Sequence, residues 1–72
     1  MNNTTPFRII TTVYDRYFCD TLEYIRHEDT LENARALAER HAKHHRCYSV
    51  VILRSTGGDC WEPIAEYDGL AS

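Results

Sequence analysis

No stretch of this chain approaches the roughly 20 consecutive apolar residues that a membrane-spanning helix needs. Met1 to Pro6 also lack the basic and apolar regions of a secretory signal. The expected location is therefore the cytoplasm. Three glycines and two prolines are too few for a low-complexity tract or a linker, and no internal repeat is present. An excess of positive charge is missing as well: the net charge of −3 argues against non-specific nucleic-acid binding, which needs a basic surface to displace phosphate counterions. Three cysteines (Cys19, Cys47 and Cys60), odd in number and irregularly spaced, fit reduced thiols rather than a disulfide scaffold. The simplest role for all three is that of small buried hydrophobes.

What is present is a folding pattern. A hydrophobic content of 43% is too high for a disordered chain, and 72 residues allow one domain, 1–72, with one thin core. Residues 1–6 read as a flexible leader ending at Pro6. From Phe7, the set Phe7, Ile9, Thr11 and Val13 alternates with Arg8, Ile10, Thr12 and Tyr14, a β-rich pattern that predicts a strand. Either Asp15-Arg16 or Cys19-Asp20 holds the next turn. A second strand covers about Thr21 to His27, with Leu22, Tyr24 and Ile25 as its apolar content. So short a connection requires an antiparallel hairpin.

The period then changes. Leu31, Ala34, Leu37, Ala38, His41, Ala42 and His45 share one side at helical spacing, while Glu32, Asn33, Arg35, Glu39, Arg40 and Lys43 take the other. Asp29 and Thr30 compete for the N-cap. His44, His45 and Arg46 fall in the expected last turn, where positive charge suits the helix dipole. Cys47 to Ser55 reads as a central strand, its run of Val50, Val51, Ile52 and Leu53 apolar on both faces. Thr56-Gly57-Gly58-Asp59 supplies a turn joining two strands. It is not a phosphate-binding loop, which would open a helix. Cys60 to Tyr67 is the last strand, and Pro63 demotes it to an edge or forces a bulge.

The order is therefore ββαββ, an α+β fold of two layers with one helix packed on a mainly antiparallel sheet. One helix covers only one face of such a sheet. The other face is left for solvent, a second copy or a partner. Tyr14, Tyr17, Tyr24, Tyr48, Trp61 and Tyr67 offer more aromatic surface than so small a core can absorb. Tyr14, Tyr24, Trp61 and Tyr67 are accordingly expected on the open face as apolar anchors. Glu62 and Glu66 would supply an acidic complement to a basic partner.

Chemistry offers less. His41 and His45, one turn apart on a helix, have a chelating spacing, and Cys47 follows them. They also continue the core-facing stripe, and the pattern matches neither a zinc finger nor the metalloprotease motif in which Glu follows the first His. A buried or dipole-stabilising role without metal is the simpler reading. A Cys/His nucleophile pair would need a substrate pocket that this short chain has little room for. The acidic residues of the last strand match a solvated, aggregation-resistant edge. The chain is thus expected to be no enzyme and to need no cofactor.

The stretch Thr30-Leu31-Glu32-Asn33-Ala34-Arg35-Ala36-Leu37-Ala38, followed by Tyr48-Ser49-Val50-Val51-Ile52-Leu53 and Cys60-Trp61, resembles in layout the small phage-encoded anti-CRISPR proteins. Some of these are acidic modules of similar size with one helix on an antiparallel sheet. The resemblance implies a non-enzymatic, protein-binding inhibitor of a bacterial CRISPR surveillance complex. It would occlude a nucleic-acid or nuclease site and act in the host cytoplasm. A homodimer through the open face is compatible with this. Two rival expectations are a nucleic-acid-binding module using Arg35, Arg40, Lys43 and Arg46, and a metal-stabilised domain using His41, His45 and Cys47.

Overall fold

In the computed structural model, which describes residues 6–17 and 19–70, the expected order ββαββ is present. Strands β1 (Phe7–Asp15) and β2 (Asp20–Glu28) form an antiparallel hairpin, with Phe7 opposite Glu28 and Asp15 opposite Asp20. Helix α1 (Leu31–Ala42) leads to β3 (Cys47–Gly57), which pairs antiparallel with β1, and β4 (Cys60–Asp68) returns along β3. The sheet order is β2-β1-β3-β4, so β1 and β3 are internal and β2 and β4 are the edges. Of the expected leader, residues 1–5 lie outside the described residues. Pro6 is already part of the ladder, its carbonyl accepting the Ser55 N–H at 2.9 Å.

Both expected turns find their chemistry. The β1–β2 connection spans both candidate turn pairs: the Asp15 carboxylate accepts the Tyr17 N–H at 2.9 Å, and Cys19 takes a left-handed φ of 51°. At the β3–β4 hairpin, Gly57 and Gly58 have φ of 119° and 57°, conformations that a side chain would strain. Thr30 wins the N-cap of α1, its hydroxyl accepting the Asn33 N–H at 3.1 Å.

The helix ends one turn earlier than the residue pattern predicts. After Ala42 the His44 N–H bonds the His41 carbonyl and the Cys47 N–H bonds the His44 carbonyl, each three residues back at 3.0 Å. The His44 imidazole Nδ1 also accepts the Arg46 N–H at 3.2 Å. This side-chain bond offers the backbone an alternative to the helical ladder, and the chain turns into β3.

The core lies between α1 and the two inner strands. Ala34, Leu37 and Ala38 of the helix pack on Ile9, Cys47, Val50 and Ile52, with Phe7, Leu31, Ala42, Ala65 and Tyr67 around them. The alanines let the helix approach closely while branched side chains fill the sheet surface. Thr11 is the buried polar residue on this face, and its hydroxyl meets His41 Nδ1 at 2.9 Å. A buried hydroxyl without a partner would be costly, so His41 both satisfies Thr11 and ties the end of the helix to β1.

Two irregularities decide which face each side chain takes. The β1–β3 register shifts between Thr12 and Val13, leaving Tyr48 as an extra residue, so that Cys47 and Val50 both reach the core. The β3–β4 register shifts between Ile52 and Leu53: Ile52 faces Ala65 and Leu53 faces Pro63, with Ile64 as the extra residue. Pro63 thus accompanies both an edge position and a bulge, the two settings that tolerate a missing N–H donor.

Among the cysteines, the expectation of three buried thiols holds for Cys47 alone; Cys19 and Cys60 are exposed, and all three are free. Cys19 lies in the first hairpin loop and Cys60 opens β4 at the second turn, both away from the helix. Burial pushes the Cys47 thiol above its ordinary range. No helix among the described residues is long and apolar enough to cross a membrane.

Candidate functional sites on the two sides of the sheet

Cross-strand pairing places neighbours on a common face, and burial on the helix side identifies that face. The pairs Ile10–Ile25, Ile10–Val51 and Val51–Glu66 form one row across the side opposite α1. The next row is His27–Arg8–Leu53–Pro63, and the preceding one is Glu23–Thr12–Ser49–Asp68. The uncovered face is therefore graded. An apolar band of Ile25, Ile10, Val51 and Leu53 runs across it, carboxylates stand at one end, and Arg8, His27 and Trp61 stand at the other.

That last group is ordered. The Arg8 guanidinium lies 4.1 Å from the centre of the Trp61 ring and donates from Nε to His27 Nε2 at 3.2 Å. The His27 and Trp61 rings approach to 6.2 Å, although they belong to the two opposite edge strands. Trp61 thus reaches across the end of the face over Arg8. The cation–π contact contributes about 0.5–1 kcal/mol at such a half-exposed site.

The structure corrects the assignment of the aromatics. Of Tyr14, Tyr24, Trp61 and Tyr67, Trp61 and Tyr14 belong to the open face, Tyr14 through its pairing with Thr21 one row beyond Thr12–Glu23. Tyr67 packs against the core under the helix, and Tyr24 sits opposite buried Thr11, on the helix side. Tyr14 and Tyr24 both line a cleft beside the C-terminal end of α1. Glu66 lies on the open face, whereas Glu62 pairs across the strands with Arg54 and forms an ion pair with it. The bulge at Ile64 is the cause: uninterrupted alternation would put Trp61 and Tyr67 on the same face, and one extra residue reverses the phase.

The cleft beside the helix has a volume of about 700 Å³ and a different character. It is lined by Thr11, Val13, Leu22, Tyr24 and the edge residue Ile25, together with Arg26, Arg40, His41, His44 and Arg46. Three of the eight lysines and arginines line it, against one of the eleven carboxylates, Asp15. Burial, Arg26, Arg40 and His44 together lower the proton affinity of His41 below its ordinary value of 6.5. Of the four basic residues expected together on the outer helix face, Arg40 and Arg46 line this cleft and Arg35 a shallow surface depression with Leu31, Glu32, Ala36 and Glu39. Arg26 completes the cluster from a strand that residue spacing on the helix could not connect to it.

The metal-ligand spacing of His41 and His45 disappears with the early helix end: His41 is half-buried against Thr11, and His45 is exposed and stacked on His44 with ring centres 4.6 Å apart. Among the described residues, no group of three or more His, Cys, Asp or Glu side chains is arranged to hold a metal ion. No family profile, curated protein or solved structure matches this chain.

Proposed function

We propose that the chain is a non-enzymatic binding module that engages a protein partner through the sheet face that α1 leaves uncovered. The observation that carries this reading is the band of Ile25, Ile10, Val51 and Leu53, side by side on that face with no element of the fold packed over them. Ile25, at the edge of this band, retains 53% exposure and also borders the cleft beside α1, while Ile10, Val51 and Leu53 are half-buried. The fixed Trp61–Arg8–His27 group adds the aromatic and arginine anchors that dominate interface energetics, at little cost in side-chain entropy. Glu23, Glu66 and Asp68 at the other end suit a partner with lysine or arginine there.

Inhibition of a bacterial CRISPR surveillance complex is the most specific form of this reading. It is supported by the layout resemblance, the small size and the acidic net charge. Addition of the purified protein to such a complex should then suppress target-DNA binding or cleavage.

The general reading is tested with Val51→Lys. The new ammonium would stand opposite Glu66, and its stem would lie along the sheet, so the fold should persist. Wild-type protein used as bait in a bacterial lysate should retain a partner that Val51→Lys loses. Equal retention by both would exclude this face. Sedimentation of the two proteins alone identifies the case in which the partner is a second copy.

A further inference from the structure

The cleft beside the helix end opens on the helix side of the sheet, meeting this interface only at the edge residue Ile25, and its chemistry is different. Arg26 comes from edge strand β2, Arg40 from the last turn of α1, and Arg46 from the turn into β3. All three converge on one concavity within a chain of net charge −3. Among the described residues, none of their guanidinium groups makes an ion pair; the one ion pair is Arg54–Glu62, elsewhere. Asp15, the single carboxylate of the lining, is engaged by the backbone of its own hairpin loop. Like charges gathered without counter-charge repel one another; at His41, whose proton affinity burial lowers first, Arg26 and Arg40 lower it further. An anion in the cleft would relieve this repulsion.

Guanidinium groups favour planar or tetrahedral oxyanions, which they grip with paired N–H donors. The cleft floor adds an apolar and aromatic surface: Leu22 is 42% exposed and Tyr24 53% exposed, both facing the cleft. A volume of about 700 Å³ is that of a site for a small organic molecule rather than for a bare ion. From this arrangement we infer that the cleft binds a nucleoside phosphate unit. Arg26, Arg40 and Arg46 hold the phosphate, and the base lies against Tyr24 and Leu22. The unit belongs either to a free nucleotide or to a single strand, since both present the same phosphate and the same stackable ring.

The test is a calorimetric and NMR titration of the full chain at low ionic strength with AMP, adenosine, inorganic phosphate and a short oligothymidylate. AMP should saturate one site and shift the signals of Tyr24 and His41, while adenosine and inorganic phosphate bind at least about tenfold more weakly, each having lost one half of the recognition. Arg26→Gln and Arg40→Gln should each weaken AMP about tenfold, the worth of a charge-assisted hydrogen bond. Arg35→Gln, outside the cleft, should leave it unchanged; circular dichroism confirms that each variant is folded. Oligothymidylate that binds more tightly than AMP, and depends on the same arginines, assigns the unit to a strand. Oligothymidylate no tighter than AMP assigns it to a free nucleotide. Absence of saturable AMP binding, AMP binding indifferent to Arg26→Gln and Arg40→Gln, or inorganic phosphate equal to AMP would overturn the inference. None of these variants touches the uncovered face, so this result and that of Val51→Lys stand independently.

Discussion

Gly69→Ala is the substitution that most severely tests the packing at the end of the sheet. Gly69 is buried just beyond β4, and its N–H donates to the Tyr48 carbonyl at 3.0 Å. A Cβ there would stand 2.1 Å from the Cys47 carbonyl oxygen, 2.4 Å from its carbonyl carbon and 2.9 Å from its Sγ. Carbon and oxygen need about 3.3 Å, so the two segments must separate by roughly 1 Å. The closest atoms are backbone, fixed by the β1–β3 and β3–β4 ladders, and no rotamer change relieves the clash. Overpacking of this kind costs about 1–3 kcal/mol. Weakening the Gly69–Tyr48 bond adds about 0.5–1.5 kcal/mol. Loss of glycine's freedom in the unfolded chain returns about 0.4–1 kcal/mol.

The net destabilisation is centred on ~2 kcal/mol within a span of about 0.5–4, a large share of the roughly 4–11 kcal/mol typical for a chain of this length. At about 4–8 °C per kcal/mol, a loss of ~2 kcal/mol lowers the melting temperature by roughly 8–16 °C. Thermal denaturation followed by circular dichroism measures this directly, with Leu70→Ala, an exposed neighbour, as the control that should scarcely move. Adding Cys47→Ala should not rescue Gly69→Ala, because the thiol is the farthest of the three contacts. A Gly69→Ala protein melting within about 2 °C of wild type would show that this close approach does not exist.

Other predictions follow from the caps, the histidine latch and the thiols. Thr30→Ala should cost about 1 kcal/mol in urea denaturation while Thr30→Ser costs little, because the hydroxyl that caps Asn33 is retained. His41 is held below its ordinary 6.5 in the folded state, so between those two values the unfolded chain binds more protons. Its contribution is therefore complete above pH 6.5 and is lost as pH falls through 6.5 toward the folded value. Urea midpoints measured down that range should show a drop that His41→Gln reduces; an equal drop in both proteins would remove His41 from the account. In the native protein a chromogenic thiol reagent should react quickly with Cys19 and Cys60 and with Cys47 only on unfolding. Simultaneous reaction of all three would contradict the buried position of Cys47.

Element order, the hairpin pairing, the edge position of β4 and most of the helix stripe were legible in the residues, because period and turn chemistry are local signals. The failures arise where a local pattern meets a long-range constraint. One bulge residue, Ile64, separates Trp61 from Tyr67, and nothing in Cys60 to Tyr67 beyond the presence of Pro63 hints at its phase. Tyr24 faces the helix side because its register partner is Thr11, a fact of pairing rather than of composition. The basic cleft was half visible: Arg40 and Arg46 are close in sequence, but Arg26 joins them only once β2 has paired with β1 and α1 has crossed the sheet. Its one available signal was the apolar and cationic alternation of Leu22, Tyr24 and Arg26, which puts all three on one side of an edge strand.

The proposed working surface for a protein partner is the face opposite the helix. The most direct measurement is a methyl-resolved NMR titration of the chain with its captured partner. Neighbouring residues on the same strands report opposite faces: Ile10, Val51 and Leu53 on one side, Ile9, Val50 and Ile52 on the other. Large shifts are expected for Ile10, Val51 and Leu53 and small ones for Ile9, Val50 and Ile52. Perturbation confined to the helix or to the cleft around Tyr24, with Val51 and Leu53 unmoved, would contradict this proposal.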